Sequence, residues 1–320
     1  MSDAPGSLLE SDVAIIGGGP AGLSAAIWCA RYLHSTVVVD SGDPRNWETR
    51  GVNGFLGLPK ITPEELRGRG REECRAYGVT LLDTTVLAVE SDAAESFLLL
   101  LSGGERVAAR RLLLAYGLRD VWPDIPGLTR VYGANAHVCP DCDGYEARGK
   151  KVVVIGNGRR AAGMALNLTT WTDKIIVCTN GKPPEFDGEY CAKLDALNIP
   201  ILTEAIRRVC YTGVSISCLE LENGMQLDAQ KIFFSLAQYP SDDLGALLQC
   251  DRDESGHITV DEHMQTSVQN VYAAGDLVPG AQLAIGAASD GAIAAMAIHK
   301  SLVPQERKLD PLVIEPAAAG

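Results

Sequence analysis

The stretch DVAIIGGGPAGLSAAIWCARYLHSTVVVDSG, Asp12 to Gly42, decides the fold class. Residues 13–16 are a short apolar run that reads as a strand, and a glycine-rich turn follows it directly. A helix takes residues 21 to about 32, and residues 36–39 form a second strand that closes on Asp40. Strand, glycine turn, helix and strand make a βαβ opening. Within GGGPAG, Gly17 permits the tight turn, Gly19 lets a pyrophosphate approach the backbone, and Gly22 lets helix and strand pack closely. Pro20 and Ala21 belong to the same candidate nucleotide site, where the helix start offers free N–H groups to phosphate. Glycine-rich turns also occur in purely structural loops. The strand–turn–helix context favours the nucleotide reading, as does Asp40, which lies about twenty residues on and is placed to accept from ribose hydroxyls.

The same grammar returns in KVVVIGNGRRAAGMALNLTTWTDKIIVCTN, residues 151–180, with strands expected at 152–155 and 174–178. Two such openings in one 320-residue chain imply an α/β protein with two Rossmann-like, three-layer ββα domains. Strand-like runs fill the chain between them, and GLRDVWPDIPGL breaks periodicity as a linker does. We divide the chain into a discontinuous nucleotide domain, residues 1–118 and 241–302, an inserted second domain, 119–240, and a C-terminal tail, 303–320. Near the end, NVYAAGDLVPGAQLAIGAASDG brings Gly275 and Asp276 to a strand end, with Gln282 and Ala284 ahead of a small-residue helix. That segment suits either a second contact to a long cofactor or close helix packing.

A net charge of −13 leaves no basic stripe to displace counterions, which argues against nucleic-acid binding. The N-terminus lacks the pattern of a secretory signal and no run has the length of a membrane span, so a cytoplasmic, non-membrane protein is the expectation. Nine cysteines in such a compartment read mostly as small buried hydrophobes, and Cys29, Cys178 and Cys218 lie in apolar runs.

Cys139 and Cys142, in HVCPDCDGYE, form the one spaced pair. Zinc wants four ligands, and no second such pair completes a site, so no metal is expected. Unbonded core cysteines are an alternative, although Pro140, Asp141, Asp143 and Gly144 make an unusual core strand. Dithiol chemistry suits the spacing, since two intervening residues at a helix start hold the sulfurs within bonding reach. Asp143 then either moves a proton to or from the leaving thiol or caps the helix.

Taken in order, GGGPAG with Asp40, CPDCDG, the second Rossmann unit and AAGDL with Gln282 resemble the low-molecular-weight thioredoxin reductase flavoproteins, including dithiol oxidases and ferredoxin-linked reductases. The resemblance spans residues 10 to about 302. It implies FAD, a homodimer, and a partner such as thioredoxin or a small-molecule disulfide. It also implies Cys142 against the flavin as a charge-transfer thiolate, Cys139 attacking the substrate disulfide, Asp143 as acid/base, and Asn53 facing the ring. On bare sequence Asn53 is equally a turn former.

The chain departs from that pattern after its second unit. Members that use NADPH place a histidine and several arginines behind the strand, whereas this chain reads CTNGKPP, with Lys182 as its one cation there. NADH usually calls for an acidic residue at the strand end, where Thr179 and Asn180 stand. Arg159 and Arg160 read equally as phosphate ligands or solvated helix residues, and Tyr116 stands where threonine is common. The expectation is an FAD-dependent disulfide oxidoreductase with poor use of NADPH and NADH. Ferredoxin is a candidate donor, and a dithiol oxidase passing electrons to oxygen is the alternative.

Overall fold

A computed structural model describes residues 7–91 and 96–308. Residues 309–320 of the expected tail lie outside the described residues. The opening motif folds as its pattern requires, with strand Leu8–Ile16, helix Pro20–Arg31 and strand Thr36–Val39. The helix begins one residue earlier than read, because Pro20 at its first position needs no N–H partner there.

The first sheet places Thr80–Leu82, Thr36–Val39, Leu8–Ile16 and Arg106–Leu114 side by side in parallel. Arg106–Leu114 changes its second neighbour half-way along. Its first half pairs antiparallel with Phe97–Leu101, and residues 112–114 pair in parallel with Val271–Ala273. Alternation along the strands sorts the core into two layers. Val13, Ile15, Val38 and Leu113 pack under the helices, whereas Ala14, Ile16, Val37, Val39, Leu112 and Leu114 meet the antiparallel strands and the Val271–Ala273 region. Helix Ala284–Leu302 lies on helix Pro20–Arg31 so closely that a Cβ on Gly291 would sit 2.0 Å from the Ala21 carbonyl oxygen. Small residues in that helix are therefore a packing requirement.

The second parallel sheet orders Ile201–Leu202, Ile175–Cys178, Val152–Ile155, Lys231–Phe234 and Ala136–His137. Helices Arg159–Leu168 and Gly188–Ala196 cover the face bearing Val152, Val154 and Phe233. A smaller antiparallel sheet from Ile206–Thr212, Ser215–Leu221 and Gln226–Leu227 closes the other face over Val153, Ile155 and Phe234. Leu118–Asp120 and Gln238–Pro240, the two passages between the sheets, pair antiparallel as a short ribbon. The architecture is two Rossmann-like α/β units, the second inserted in the first.

The cysteine reading needs one correction. Cys29 and Cys178 are buried, but Cys218 is only half-buried. Its apolar neighbours Leu219 and Leu221 face the core, and period-two alternation turns Cys218 to the other side of the sheet.

Candidate active site

One cavity of about 560 Å³ runs from the glycine turn to the cysteine pair. Gly17, Gly19, Pro20, Ala21, Asp40, Asn53, Cys139, Cys142, Asp143, Gly275, Asp276, Gln282 and Ala284 all line it. Gly22 stands behind the turn instead, where an added Cβ would sit 1.9 Å from the Gly17 carbonyl oxygen. Gly17, at φ +110°, has the Ala115 carbonyl in the place of a side chain. Gly19 opens onto free space, and helix Pro20–Arg31 has no side-chain cap, so its first N–H groups remain available to an anion.

Three arginines that the sequence reading passed over organise the acidic groups. Arg67 and Arg71 both donate to Asp40 Oδ2, the latter at 3.2 Å, and the Gly42 N–H donates to Oδ1 at 3.2 Å. A carboxylate offers about four acceptor sites, so about one remains for a ribose hydroxyl. Arg45 grips Asp120 with two bonds of 2.6 and 2.7 Å, and donates to Asp276 Oδ2 at 3.0 Å and Gln282 Oε1 at 2.8 Å. The Gln282 amide also exchanges two 3.2 Å bonds with Gln238, so its side chain is turned to the inter-unit ribbon. Tyr116 lines the cavity too, and its hydroxyl accepts the Gly245 N–H at 3.0 Å. Burial pushes this phenol up to about 12.

At the far end Cys139 and Cys142 are joined as a disulfide. Cys139 caps the single turn Pro140–Asp143, its sulfur accepting the Cys142 N–H at 3.1 Å. Asn53 reaches across from the first unit and donates to the Cys142 carbonyl at 3.0 Å, with Asp143 Oδ1 at 3.4 Å. Asp143 Oδ2 lies 3.3 Å from His137 Nδ1, and His137 Nε2 lies 3.2 Å from Lys231 Nζ. An ammonium only donates, so His137 Nε2 accepts from it and the imidazole proton sits on Nδ1, directed at Asp143. Burial lowers the Lys231 pKa, opposed by the nearby Asp143 and Glu146 carboxylates. Lys231 also donates to the Ala134 carbonyl at 2.9 Å. This buried lysine was legible as the one charge in the strand KIFF; its link to Asp143 was not.

In the second unit the glycine turn is crossed by the chain that follows Cys178. The Glu185 N–H donates to the Asn157 carbonyl at 2.6 Å, and the Asn157 amide donates to the Pro183 carbonyl at 3.3 Å. Asn180 Oδ1 accepts the Ile206 N–H at 2.8 Å, and the buried Thr179 hydroxyl donates to the Lys182 carbonyl. Arg159 is paired with Asp187 at 2.9 Å, and Arg160 reaches Gln238 at 3.4 Å.

With a disulfide at one end of this cavity and a glycine turn at the other, the sequence pattern of the pyridine nucleotide-disulphide oxidoreductases matches residues 11–291. The chain belongs to the pyridine nucleotide-disulphide oxidoreductases. It is 31% identical to the thioredoxin reductase tcpT of Claviceps purpurea over 281 residues, 83% of this chain and 86% of that one. The crystal structure of HlmI superposes with a TM-score of 0.86 at 32% identity, covering 95% of this chain and 94% of its own. A putative thioredoxin reductase TrxB from Bacillus anthracis gives 0.84 at 28% identity, with 91% and 98% covered. The protein is thus an oxidoreductase enzyme of thioredoxin-reductase type, and FAD is its cofactor. The residues present fit that group: an open glycine turn, a free helix start, an acidic side chain at the end of strand Thr36–Val39, and a cavity within the range of about 300–1,000 Å³ usual for such ligands.

Proposed function

We propose that the chain exchanges electrons between FAD and a disulfide or dithiol substrate through Cys139 and Cys142, without efficient use of NADPH or NADH. The carrying observation is the single cavity that joins the glycine turn to the cysteine pair. Bound FAD supplies or takes the electron pair that opens or closes the S–S bond. Cys142 is the flavin-side sulfur and Cys139 the substrate-side sulfur, as in the flavoproteins the chain resembles. Asp143 passes the proton to or from the leaving thiol, while His137 Nδ1–H and the Asn53 amide hold its carboxylate toward the pair. Gly17, Gly19 and the start of the following helix take the pyrophosphate, Asp40 the ribose, and Asp276 and Ala284 the flavin half. Residues 119–240 act as the inserted domain.

What supports the weak use of pyridine nucleotides is the second glycine turn. Thr179 and Asn180 are committed to backbone groups, Arg159 is paired with Asp187, and residues 183–185 hydrogen-bond to Asn157 in that turn. A 2′-phosphate carrying nearly two negative charges finds no cation cluster after Cys178. Ferredoxin is the donor we propose for the reductive direction, with thioredoxin or a small-molecule disulfide receiving the electrons. The same observation favours a second reading, a dithiol oxidase in which electrons leave through FAD to oxygen, since thiol exchange runs either way. We place the enzyme in the cytoplasm as a homodimer; no helix of the described residues is long and apolar enough to cross a membrane. Reoxidation after anaerobic dithiol reduction tests the class. Fast return of the oxidised spectrum in air with disulfide product identifies the oxidase, and slow return with thioredoxin reduction identifies the reductase. No turnover with any dithiol or disulfide overturns both.

A further inference from the structure

Strands Ile206–Thr212 and Ser215–Leu221 run antiparallel with Cys210 directly opposite Cys218. Opposed Cα atoms in such a pair lie about 4.5–5.5 Å apart. A disulfide accepts about 4.4–6.8 Å, so directly opposed strand positions of this kind suit one. Val209, Ile216, Leu219 and Leu221 fill the core on the inner face. Alternation therefore places both cysteines on the outer face, in line with Arg208 and Glu220, which pair at 2.6 Å. Each cysteine is free and half-buried. The register shifts beside them, between Cys210 and Tyr211, leaving Ser217 without an opposite residue. Such a bulge adds local twist and marks a place where a strand re-aims side chains.

We propose that Cys210 and Cys218 form a second redox-active dithiol, a modification site apart from Cys139 and Cys142, which closes to a cross-strand disulfide by exchange with low-molecular-weight disulfides. The Cys210 thiolate attacks the small disulfide, forming a mixed disulfide and releasing one thiolate. Cys218 then gives up its proton and attacks the Cys210 sulfur, releasing the second. One disulfide is reduced to two thiols while two protein thiols become one disulfide, so electrons and atoms balance. Burial and the neighbouring Cys210 push the Cys218 thiol up to about 11, so Cys218 keeps its proton at neutral pH and ring closure speeds up as pH rises and its thiolate fraction grows.

The test uses full-length, FAD-loaded protein carrying Cys139→Ser and Cys142→Ser, with the wild-type protein read in parallel in case that variant folds poorly. Oxidised glutathione is added anaerobically under conditions that modify the half-buried Cys191, and free thiols are then alkylated. Trypsin, cutting after Arg208 and Lys231, releases both cysteines in one peptide. The proposal expects that peptide to be lighter by two hydrogens, with no alkyl group or glutathione, in most molecules. Cys218→Ser should instead retain glutathione on Cys210. A peptide that stays doubly alkylated, or that carries two glutathiones, overturns the proposal.

Discussion

Asp143 receives the Asn53 amide on one oxygen and the His137 ring on the other, so its carboxylate is held in the cavity that the cysteine pair also lines. Asp143→Asn should slow dithiol–disulfide turnover by about 10²–10⁴-fold, the usual contribution of a positioned proton donor, while FAD content stays unchanged. An unchanged rate would make the carboxylate structural. The two sulfurs divide optically: Cys142→Ser should abolish the long-wavelength thiolate–flavin absorbance, and Cys139→Ser should keep or enhance it. The reverse spectra would exchange their roles. At this scale the sequence made the cavity-lining residues visible where chemistry is written in spacing, as in CPDCDG and GGGPAG. It concealed Arg45, Arg67 and Arg71 and the link from Lys231 to Asp143, because each acts on a carboxylate or ring distant in the chain. A lone cation carries no spacing signal; only its partner identifies it.

Elements followed the apolar pattern where it was continuous, but the first strand, read over 13–16, begins at Leu8, because polar Glu10 and Ser11 keep its pairing with residues 106–109 where the apolar run has stopped. The strands at 36–39 and 152–155 fall on the same residues in the structure. Cys218 lies in an apolar run that suggests burial, but it is half-buried because the sheet hides only one face. Helix-on-helix packing gives a sharp contrast between two glycines. Gly291→Ala forces a Cβ to 2.0 Å from the Ala21 carbonyl oxygen and displaces the turn that follows Gly19. The expected loss is at least the ~1–3 kcal/mol typical of overpacking, seen as a drop in Tm and in retained flavin. Gly68→Ala, exposed within helix Pro63–Ala76 with nothing near its added Cβ, should gain about 0.5–1 kcal/mol from helix propensity. Equal Tm values for the two variants would refute the packing account.

The same helix pair carries a pH response. His34 Nε2 lies 3.0 Å from His299 Nδ1, and burial, with help from His299 and Arg110, lowers the His34 pKa from 6.5 against the opposing pull of Asp12. The folded protein therefore binds fewer protons than the unfolded chain between the lowered value and 6.5, and stability falls as pH drops below 6.5. Chemical denaturation of His34→Asn should show a flatter slope in that window, and a slope equal to the wild type would remove His34 from the account.

On the scale of the whole molecule, the cavity is shared: the first unit contributes the glycine turn, and the cysteine pair arrives on the loop that follows strand Ala136–His137. Arg45 ties Asp120 on the connecting ribbon to Asp276 and Gln282 beside the cavity, so the route between units is anchored at the cofactor end. The proposed weak use of pyridine nucleotides rests on the second glycine turn, where the chain after Cys178 is hydrogen-bonded to the turn itself. The direct measurement is anaerobic stopped-flow of FAD-loaded protein against NADPH, NADH, reduced ferredoxin and a dithiol, followed at the flavin absorbance. The account predicts rapid bleaching by the dithiol or by ferredoxin and little by either pyridine nucleotide. Fast, saturable bleaching by NADPH at low concentration would contradict it.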